Sequence, residues 1–343
     1  MSYRCCPMIQ MSALNVLGRI DTGESTLSLC CERVPNRPEV AFARSPEELL
    51  RSFVGECALV AAECAHITED QQRYFTAGCT QCANFLEDKC SADGLIHYVN
   101  FSMYPAPCQS HCIYCIVHKD DGVSVNSDAV RAAYEKLFGV LELAERYGIV
   151  APDAVWQVSS GEITIHPYRD RIMKLVRGKR TGFYTNCMKF DEEIAQNLHD
   201  NPNSFINLSI DAGTPETWEK VKGVDNFDKV TENLAKYYAR SARPDQITLK
   251  YIVLPGINDV YEDYQSLMEI MKVLEVKHLS ISRDTPKKYS IDQQERAKLT
   301  GAAAYLLAMC HKNGISYDML TYTQEEQKAA LRLAKEIFHR GQV

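Results

Sequence analysis

The chain has 343 residues, with 38 Lys and Arg against 45 Asp and Glu. The net charge of -7 leaves no basic footprint for nucleic acid or anionic lipid. With 45% hydrophobic and 24% charged residues, 17 Gly and 13 Pro, it is excluded from the collagen-like, disordered and low-complexity classes. The first 94 residues are rich in cysteine, carry turn signals over 34–38 and offer a plausible helix only near 46–53. They look too irregular for a self-sufficient apolar core, and a bound metal would supply what the core lacks. From residue 95 the pattern changes to strands alternating with helices. A strand over 96–103 leads into a cysteine loop and then a helix over 127–147, in which Val130, Ala133, Leu137, Leu141 and Ala144 recur at helical spacing. Strands follow at 154–159, 181–185, 205–211, 247–254 and 278–282. Their helices lie at 168–176, 192–199, 227–239, 261–274 and 292–313. Six such units imply parallel pairing and right-handed crossovers, hence a doubly wound sheet or a barrel. A charged amphipathic helix at 324–339 closes the chain.

No run of about 18 apolar residues offers a membrane span. Residues 1–21 lack the apolar region of a signal peptide, so a cytoplasmic location is expected. The chain holds 14 cysteines, and 12 of them fall at or before Cys115. In a reducing compartment such cysteines are metal ligands or catalytic groups more often than disulfides. Cys108, Cys112 and Cys115 stand as C-x3-C-x2-C in CQSHCIYC, directly after the first strand of the series. In a barrel, chemistry sits on the loops that follow strand C-termini. Three neighbouring thiolates can reach one four-iron cluster and leave its fourth iron open. A zinc site would need a fourth ligand, for which His111 and His118 are at hand. Upstream, Cys79-x2-Cys82 is a chelating pair and Cys90 a further potential ligand. Cys57 and Cys64, two helical turns apart, read as buried thiols at least as readily as ligands, and Cys310 reads as core.

On these residues the chain resembles the radical S-adenosylmethionine superfamily. Its hallmark is this cysteine spacing with an aromatic before the last cysteine, here Tyr114. The resemblance covers about 200 residues. Ser159-Ser160-Gly161-Glu162 is similar to the family's Gly-Gly-Glu motif, with Ser160 in place of its first Gly. Thr185-Asn186-Cys187 resembles its Thr-Asn-Gly turn. Residues 209–223, SIDAGTPETWEKVKG, resemble the fourth-strand motif of the peptide-modifying branch, and 253–259, VLPGIND, the fifth-strand turn. The resemblance implies a partial (β/α)6 TIM-like barrel with a [4Fe-4S] cluster on Cys108, Cys112 and Cys115. The open iron would bind S-adenosylmethionine, cleaved by one electron to methionine and a 5'-deoxyadenosyl radical that abstracts hydrogen from a substrate carbon. Tyr114, Ser160, Gly161, Glu162, Asn186 and Ser209 become candidate cofactor contacts. Arg283, at the end of the sixth strand, is a candidate partner for the cofactor carboxylate. Cys187 could donate a hydrogen atom to a substrate radical, as in epimerising members, or be a packed, inert thiol.

The N-terminal cysteines resemble the SPASM and twitch extensions of such enzymes, which bind auxiliary iron-sulfur clusters, although those usually follow the barrel. The ligands assigned to a probable auxiliary cluster are Cys6, Cys31, Cys79 and Cys82, with Cys90 as a fifth candidate; a structural zinc is the alternative. The expected organisation is a cysteine-rich domain over 1–94, a core barrel over 95–290 and a helical extension over 291–343. The expected activity is radical modification of a peptide, by crosslinking, epimerisation or oxidation, with a sugar or small natural product as the alternative substrate. A reductant such as flavodoxin or ferredoxin would be the partner; nucleic acid and membrane are not expected. The reading from another class is a non-catalytic iron-sulfur or zinc protein that senses or carries electrons.

Overall fold

A computed structural model describes residues 4–5, 13–19, 26–29, 39–41, 44–64, 86–87, 93–104, 106–115, 127–159, 161–284, 291–319 and 321–343. Within them the chain forms, in order, β1 (Arg4–Cys5), β2 (Leu14–Arg19), β3 (Thr26–Ser28), β4 (Glu39–Ala41), α1 (Pro46–Cys64), β5 (Leu86–Glu87) and β6 (Ile96–Tyr104). There follow α2 (Asp128–Arg146), β7 (Val150–Val158), α3 (Arg169–Val176), β8 (Thr181–Tyr184), α4 (Glu192–Asp200), β9 (Phe205–Ser209), α5 (Pro215–Lys222) and α6 (Phe227–Arg240). The chain ends with β10 (Ile247–Val253), α7 (Tyr261–Val273), β11 (His278–Arg283), α8 (Gln293–Asn313), β12 (Ser316–Asp318) and α9 (Gln324–His339). The six strands read from the sequence are β6 to β11. The chain divides into two compact units, the first from Met1–Pro107, Asp120–His166 and Lys179–Gly182, the second from Cys108–Lys119, Pro167–Gly178 and Phe183–Val343.

In the first unit the strand order is β4-β3-β2-β6-β7. β2 and β6 run parallel, Leu14 opposite Val99 and Arg19 opposite Tyr104, and β6 and β7 are parallel too. The strands β2, β3 and β4 are antiparallel neighbours. Helix α2 is capped by the Ser127 side chain, which accepts the Val130 N–H, and it buries Val130, Tyr134, Leu137, Phe138 and Leu141. Phe101 of β6 packs 6.1 Å, centroid to centroid, from both Tyr134 and Phe138. Gly139 of α2 lets Pro46 of α1 come close, since a Cβ there would lie 2.9 Å from the proline ring. The backbone of β2 bonds to β6, the first strand of the βα series, so Leu14–Arg19 extend that sheet.

In the second unit β9, β10, β11 and β12 lie side by side, all parallel, with Ser209 opposite Lys250, Lys250 opposite Ser280 and Ser280 opposite Asp318. Side chains alternate between the two faces of such a sheet. One face carries Ile206, Leu208, Leu249, Tyr251, Val253, Leu279 and Ile281, all buried. On that side Tyr251 meets Tyr264 of α7 edge-on at 5.5 Å and donates its hydroxyl to Asp263 at 2.5 Å. The opposite face is polar and is described below. Within residues 291–343, β12 is the fourth parallel strand of this sheet. Helix α9 follows it with a capping box, Thr323 and Glu326 each accepting the other's backbone N–H.

Candidate active site

The loop 108–115 begins the second unit. Its three cysteines form no disulfide and are half-buried. The loop is tied to the end of α5, where the His111 N–H donates to the Lys222 carbonyl at 2.8 Å and the Ile113 N–H to the Val221 carbonyl at 3.0 Å. Within the loop the Cys115 N–H donates to the Cys112 carbonyl at 2.9 Å. Close approach at this tie requires glycine. Gly223 ends α5 at φ +70, and a Cβ on it would lie 2.9 Å from the His111 Cβ. Asn186 braces the other side. Its amide nitrogen donates to the Cys108 sulfur at 3.6 Å and to the Ser110 hydroxyl at 3.3 Å, and its oxygen accepts from the Gln109 amide at 3.4 Å. The candidate cofactor contact Asn186 thus holds the cysteine loop itself.

Tyr114 lies in a buried network. Its hydroxyl donates to Asp211 Oδ2 at 2.5 Å and accepts from Lys222 Nζ at 2.7 Å, while Lys222 and Asp211 form an ion pair at 2.5 Å. Both charged side chains are almost completely buried, 3% and 0% exposed. The second Asp211 oxygen accepts the Ile252 N–H at 2.6 Å, and the Asp211 carbonyl accepts from Asn258 at 2.9 Å. Asn258 belongs to the 253–259 turn and also satisfies the Leu254 N–H and the Ile252 carbonyl. The Tyr114 ring packs on Val221, Ile252 and Leu254. Burial, reinforced by the Asp211 charge, holds its phenol protonated far above the ordinary range. The Cys112 thiol is also pushed up, mainly by burial, with the Lys222 charge opposing the rise. Nothing in the sequence singles out Lys222 except its place at the end of the fourth-strand segment, directly before Gly223.

The remaining predicted residues divide. In the first unit Gly161 stands at φ +54, where a Cβ would lie 2.5 Å from the Pro107 carbonyl oxygen. Next to it the Glu162 N–H donates to that same carbonyl at 2.7 Å. The pair therefore grips Ala106 and Pro107, the residues from which the cysteine loop departs. The Glu162 carboxylate is buried and accepts from the Thr164 N–H at 3.0 Å and hydroxyl at 2.8 Å, capping the short 3-10 helix Ile163–Ile165. In the second unit Ser209 is half-buried on the polar face of the sheet. Arg283 is corrected: it points to the opposite face, is 1% exposed, and pairs with Glu326 of α9 at 2.8 Å, so its guanidinium is not open to a cofactor carboxylate. Cys187 is corrected as well. It is fully buried, at φ +55, with its N–H donating to the Thr185 hydroxyl at 3.1 Å and its carbonyl accepting from Asn233 of α6 at 2.8 Å. A packed thiol describes it better than a hydrogen donor at the mouth. Ser160 and the assigned auxiliary ligands Cys6, Cys31, Cys79, Cys82 and Cys90 lie outside the described residues, as does His118.

Among the described residues no three His, Cys, Asp or Glu side chains converge on a single ion. A four-iron cluster does not ask for such convergence, because each thiolate binds a different iron. The donor set itself fits: three cysteines outside any disulfide on a loop tied to α5 and Asn186, with the buried Gln109 Oε1 in the same loop lacking a hydrogen-bond partner. No helix among the described residues is long and apolar enough to cross a membrane.

The chain has a mixed α/β fold with mostly parallel strands, and the loop after β6 carries three cysteines that form no disulfide. Residues 107–271 match the Radical SAM superfamily. It is similar to the GTP 3',8-cyclase of Acaryochloris marina (strain MBIC 11017), 27% identical over 176 residues, which covers 48% of this chain and 50% of that protein. The chain thus matches about half the length of this curated relative. Among solved structures it is similar to Streptococcus suis SuiB bound to precursor peptide SuiA, at a TM-score of 0.49 and 13% identity, covering 69% of this chain and 51% of that one. It is also similar to a radical SAM methyltransferase from Sphaerobacter thermophilus, at a TM-score of 0.44 and 13% identity, covering 62% of each chain.

Proposed function

We propose that this protein is an enzyme that cleaves S-adenosylmethionine reductively and uses the resulting radical to modify a peptide. The observation that carries the reading is the cysteine loop itself, three cysteines outside any disulfide in the superfamily spacing, held by backbone bonds to α5 and by Asn186. A [4Fe-4S] cluster on Cys108, Cys112 and Cys115, with S-adenosylmethionine on its open iron, supplies when bound the one-electron cleavage and the 5'-deoxyadenosyl radical. The chain's own residues fix where this happens. Gly161 and Glu162 set the start of the loop, Lys222 and Gly223 its middle, and Asn186 its flank. Tyr114 shields one side of the loop as an apolar wall with its hydroxyl committed to Asp211.

The peptide preference is supported by the likeness of residues 209–223 to the peptide-modifying branch and by the cysteines upstream of the barrel. An auxiliary iron-sulfur cluster on Cys6, Cys31, Cys79, Cys82 and Cys90 belongs to the same reading, as does a flavodoxin or ferredoxin as reductant. A small-molecule substrate is the second reading, favoured by the 27% identity to a protein named for a nucleotide cyclisation. Anaerobic reconstitution followed by dithionite and S-adenosylmethionine tests the activity. The expected product is 5'-deoxyadenosine, absent with Cys112→Ala. Equal traces from both proteins would instead support a non-catalytic iron-sulfur or zinc protein, and iron and zinc counts on the same samples would say which.

A further inference from the structure

The polar face of β9 to β12 contains a lysine whose ammonium has no hydrogen-bond or ion-pair partner among the described residues. Lys250 is half-buried in the middle of β10, the one charged residue of ITLKYIV. Among the described residues no hydrogen bond or ion pair reaches its ammonium. Two carboxylates act on it through their fields, Asp211 and Asp318. Both are already engaged. Asp211 is taken by Lys222, Tyr114 and the Ile252 N–H. Asp318 accepts from the Ser280 hydroxyl at 2.8 Å and lies 2.8 Å from the His278 ring nitrogen.

The neighbours of Lys250 are set by register. Ser209 stands opposite it on β9 and Ser280 on β11, so three side chains lie in one row at the spacing of adjacent strands, about 4.8 Å. Asn207, two residues before Ser209 on the same face, has its side-chain oxygen buried without a hydrogen-bond partner. Ser282, two residues after Ser280, has a buried hydroxyl in the same condition. Buried polar groups without partners are uncommon, and several on one face, around an unpaired ammonium, describe a receptor awaiting its ligand. Ammonium and Ser209 hydroxyl offer donors, whereas the Asn207 oxygen offers an acceptor two residues away. The complementary ligand carries an oxyanion with an N–H or O–H close to it.

We propose that this row is a substrate subsite, in which Lys250 and Ser209 bind a carboxylate or phosphate and Asn207 accepts from a neighbouring donor of the same molecule. The word substrate rests on the enzymatic reading above; the anion site stands without it. In a peptide the matching group is an acidic side chain or a C-terminal carboxylate next to its own amide N–H. The cofactor's carboxylate is the other source of the same chemistry.

The test uses the full, anaerobically reconstituted protein and brief acetylation with acetic anhydride, reading the rate at each lysine by mass spectrometry. The probes are N-acetylglycine, inorganic phosphate and the uncharged N-acetylglycinamide, each with S-adenosylmethionine saturating and with it absent. Either oxyanion, at ten times its dissociation constant, is expected to slow acetylation of Lys250 about elevenfold, leaving exposed Lys272 unchanged. The amide should have no effect, and Ser209→Ala should raise the concentration of oxyanion needed. Protection by S-adenosylmethionine alone, with no further effect of the oxyanions, would assign the row to the cofactor and overturn the proposal. So would a Lys250 that reacts equally in all conditions, or never reacts, since an ammonium open to an oxyanion is open to the anhydride. None of these outcomes depends on cofactor cleavage, so failure here and failure of the enzymatic reading are separate results.

Discussion

Replacing Lys222 by Met removes the positive partner from a buried pair and leaves the Asp211 carboxylate, 0% exposed, without its countercharge. Breaking one side of such a pair costs about 3–5 kcal/mol, because the remaining charge is neither solvated nor matched. The site of that loss is local. The Lys222 and Val221 carbonyls receive the His111 and Ile113 amides, and the Tyr114 hydroxyl loses a donor at 2.7 Å. If the pair holds the cysteine loop against α5, amide exchange over 109–115 should therefore rise by a factor of about a hundred or more, as expected for a local opening made easier by about 3 kcal/mol. Hydrogen exchange followed by mass spectrometry on the peptide spanning the loop measures this directly. Adding Asp211→Asn should bring exchange most of the way back, because the neutral amide keeps an oxygen for the Ile252 N–H and no charge is stranded. Exchange within about threefold of the parent in Lys222→Met, or a double variant as open as the sum of the two singles, would refute the assignment of this pair as the anchor of the loop.

Gly161→Ala forces a side chain into the left-handed region and against the Pro107 carbonyl, so a destabilisation of about 2 kcal/mol or more is expected, with reduced iron loading on reconstitution as the readout. Native-state alkylation should spare Cys187 and Cys310 while half-buried Cys57 reacts; burial pushes the Cys310 thiol up to about 12, which leaves about a thousandfold less thiolate than at its ordinary value of 9.0. Rapid labelling of Cys187 would instead restore it as a hydrogen donor. His166 is buried beside Tyr134, its hydroxyl 3.1 Å away, and burial lowers the ring pKa from 6.5 to about 4. The folded state refuses a proton that the unfolded chain accepts, so this contribution is intact above pH 6.5 and is lost as the pH falls towards 4. The loss is about 1.4 kcal/mol per pH unit and about 3 kcal/mol in full. His166→Gln should flatten that part of the stability profile in urea titrations, and an unchanged slope would contradict the cause.

Much of the fold could be read because its signals are local. The helix at Gln324–His339 has its capping box and amphipathic period within sixteen residues. Strands β9 and β10 alternate between buried and half-buried positions, whereas Ser209 was legible only through the resemblance of residues 209–223 to a family motif. What escaped the sequence depends on distant partners or on very short elements. Helix α5 makes only about two turns, although Thr214, Pro215 and Gly223 mark its ends. Strand β12 has three residues and no apolar run. The pairing of β2 with β6 joins residues more than eighty positions apart. Arg283 stood at the right strand end for a cofactor contact, but a partner on α9, forty-three residues on, had already claimed it. Asn186 and Lys222 have their roles through bonds to a loop remote in sequence, which no spacing rule exposes. Lys250 is the reverse case, since one lysine within an otherwise apolar strand is visible in the sequence and only its missing partner needed a structure.

The central claim is that Cys108, Cys112 and Cys115 hold a cluster with one iron open to S-adenosylmethionine. Electron paramagnetic resonance of the dithionite-reduced, reconstituted protein, recorded before and after addition of S-adenosylmethionine, tests it most directly. A reduced-cluster signal that shifts its g values on addition, and is lost in a variant with all three cysteines replaced by alanine, is the predicted result. A spectrum with no component that responds to S-adenosylmethionine, or a responding component that survives in the triple variant, would contradict the account; a component from the auxiliary cluster is expected to ignore S-adenosylmethionine and to persist in both proteins.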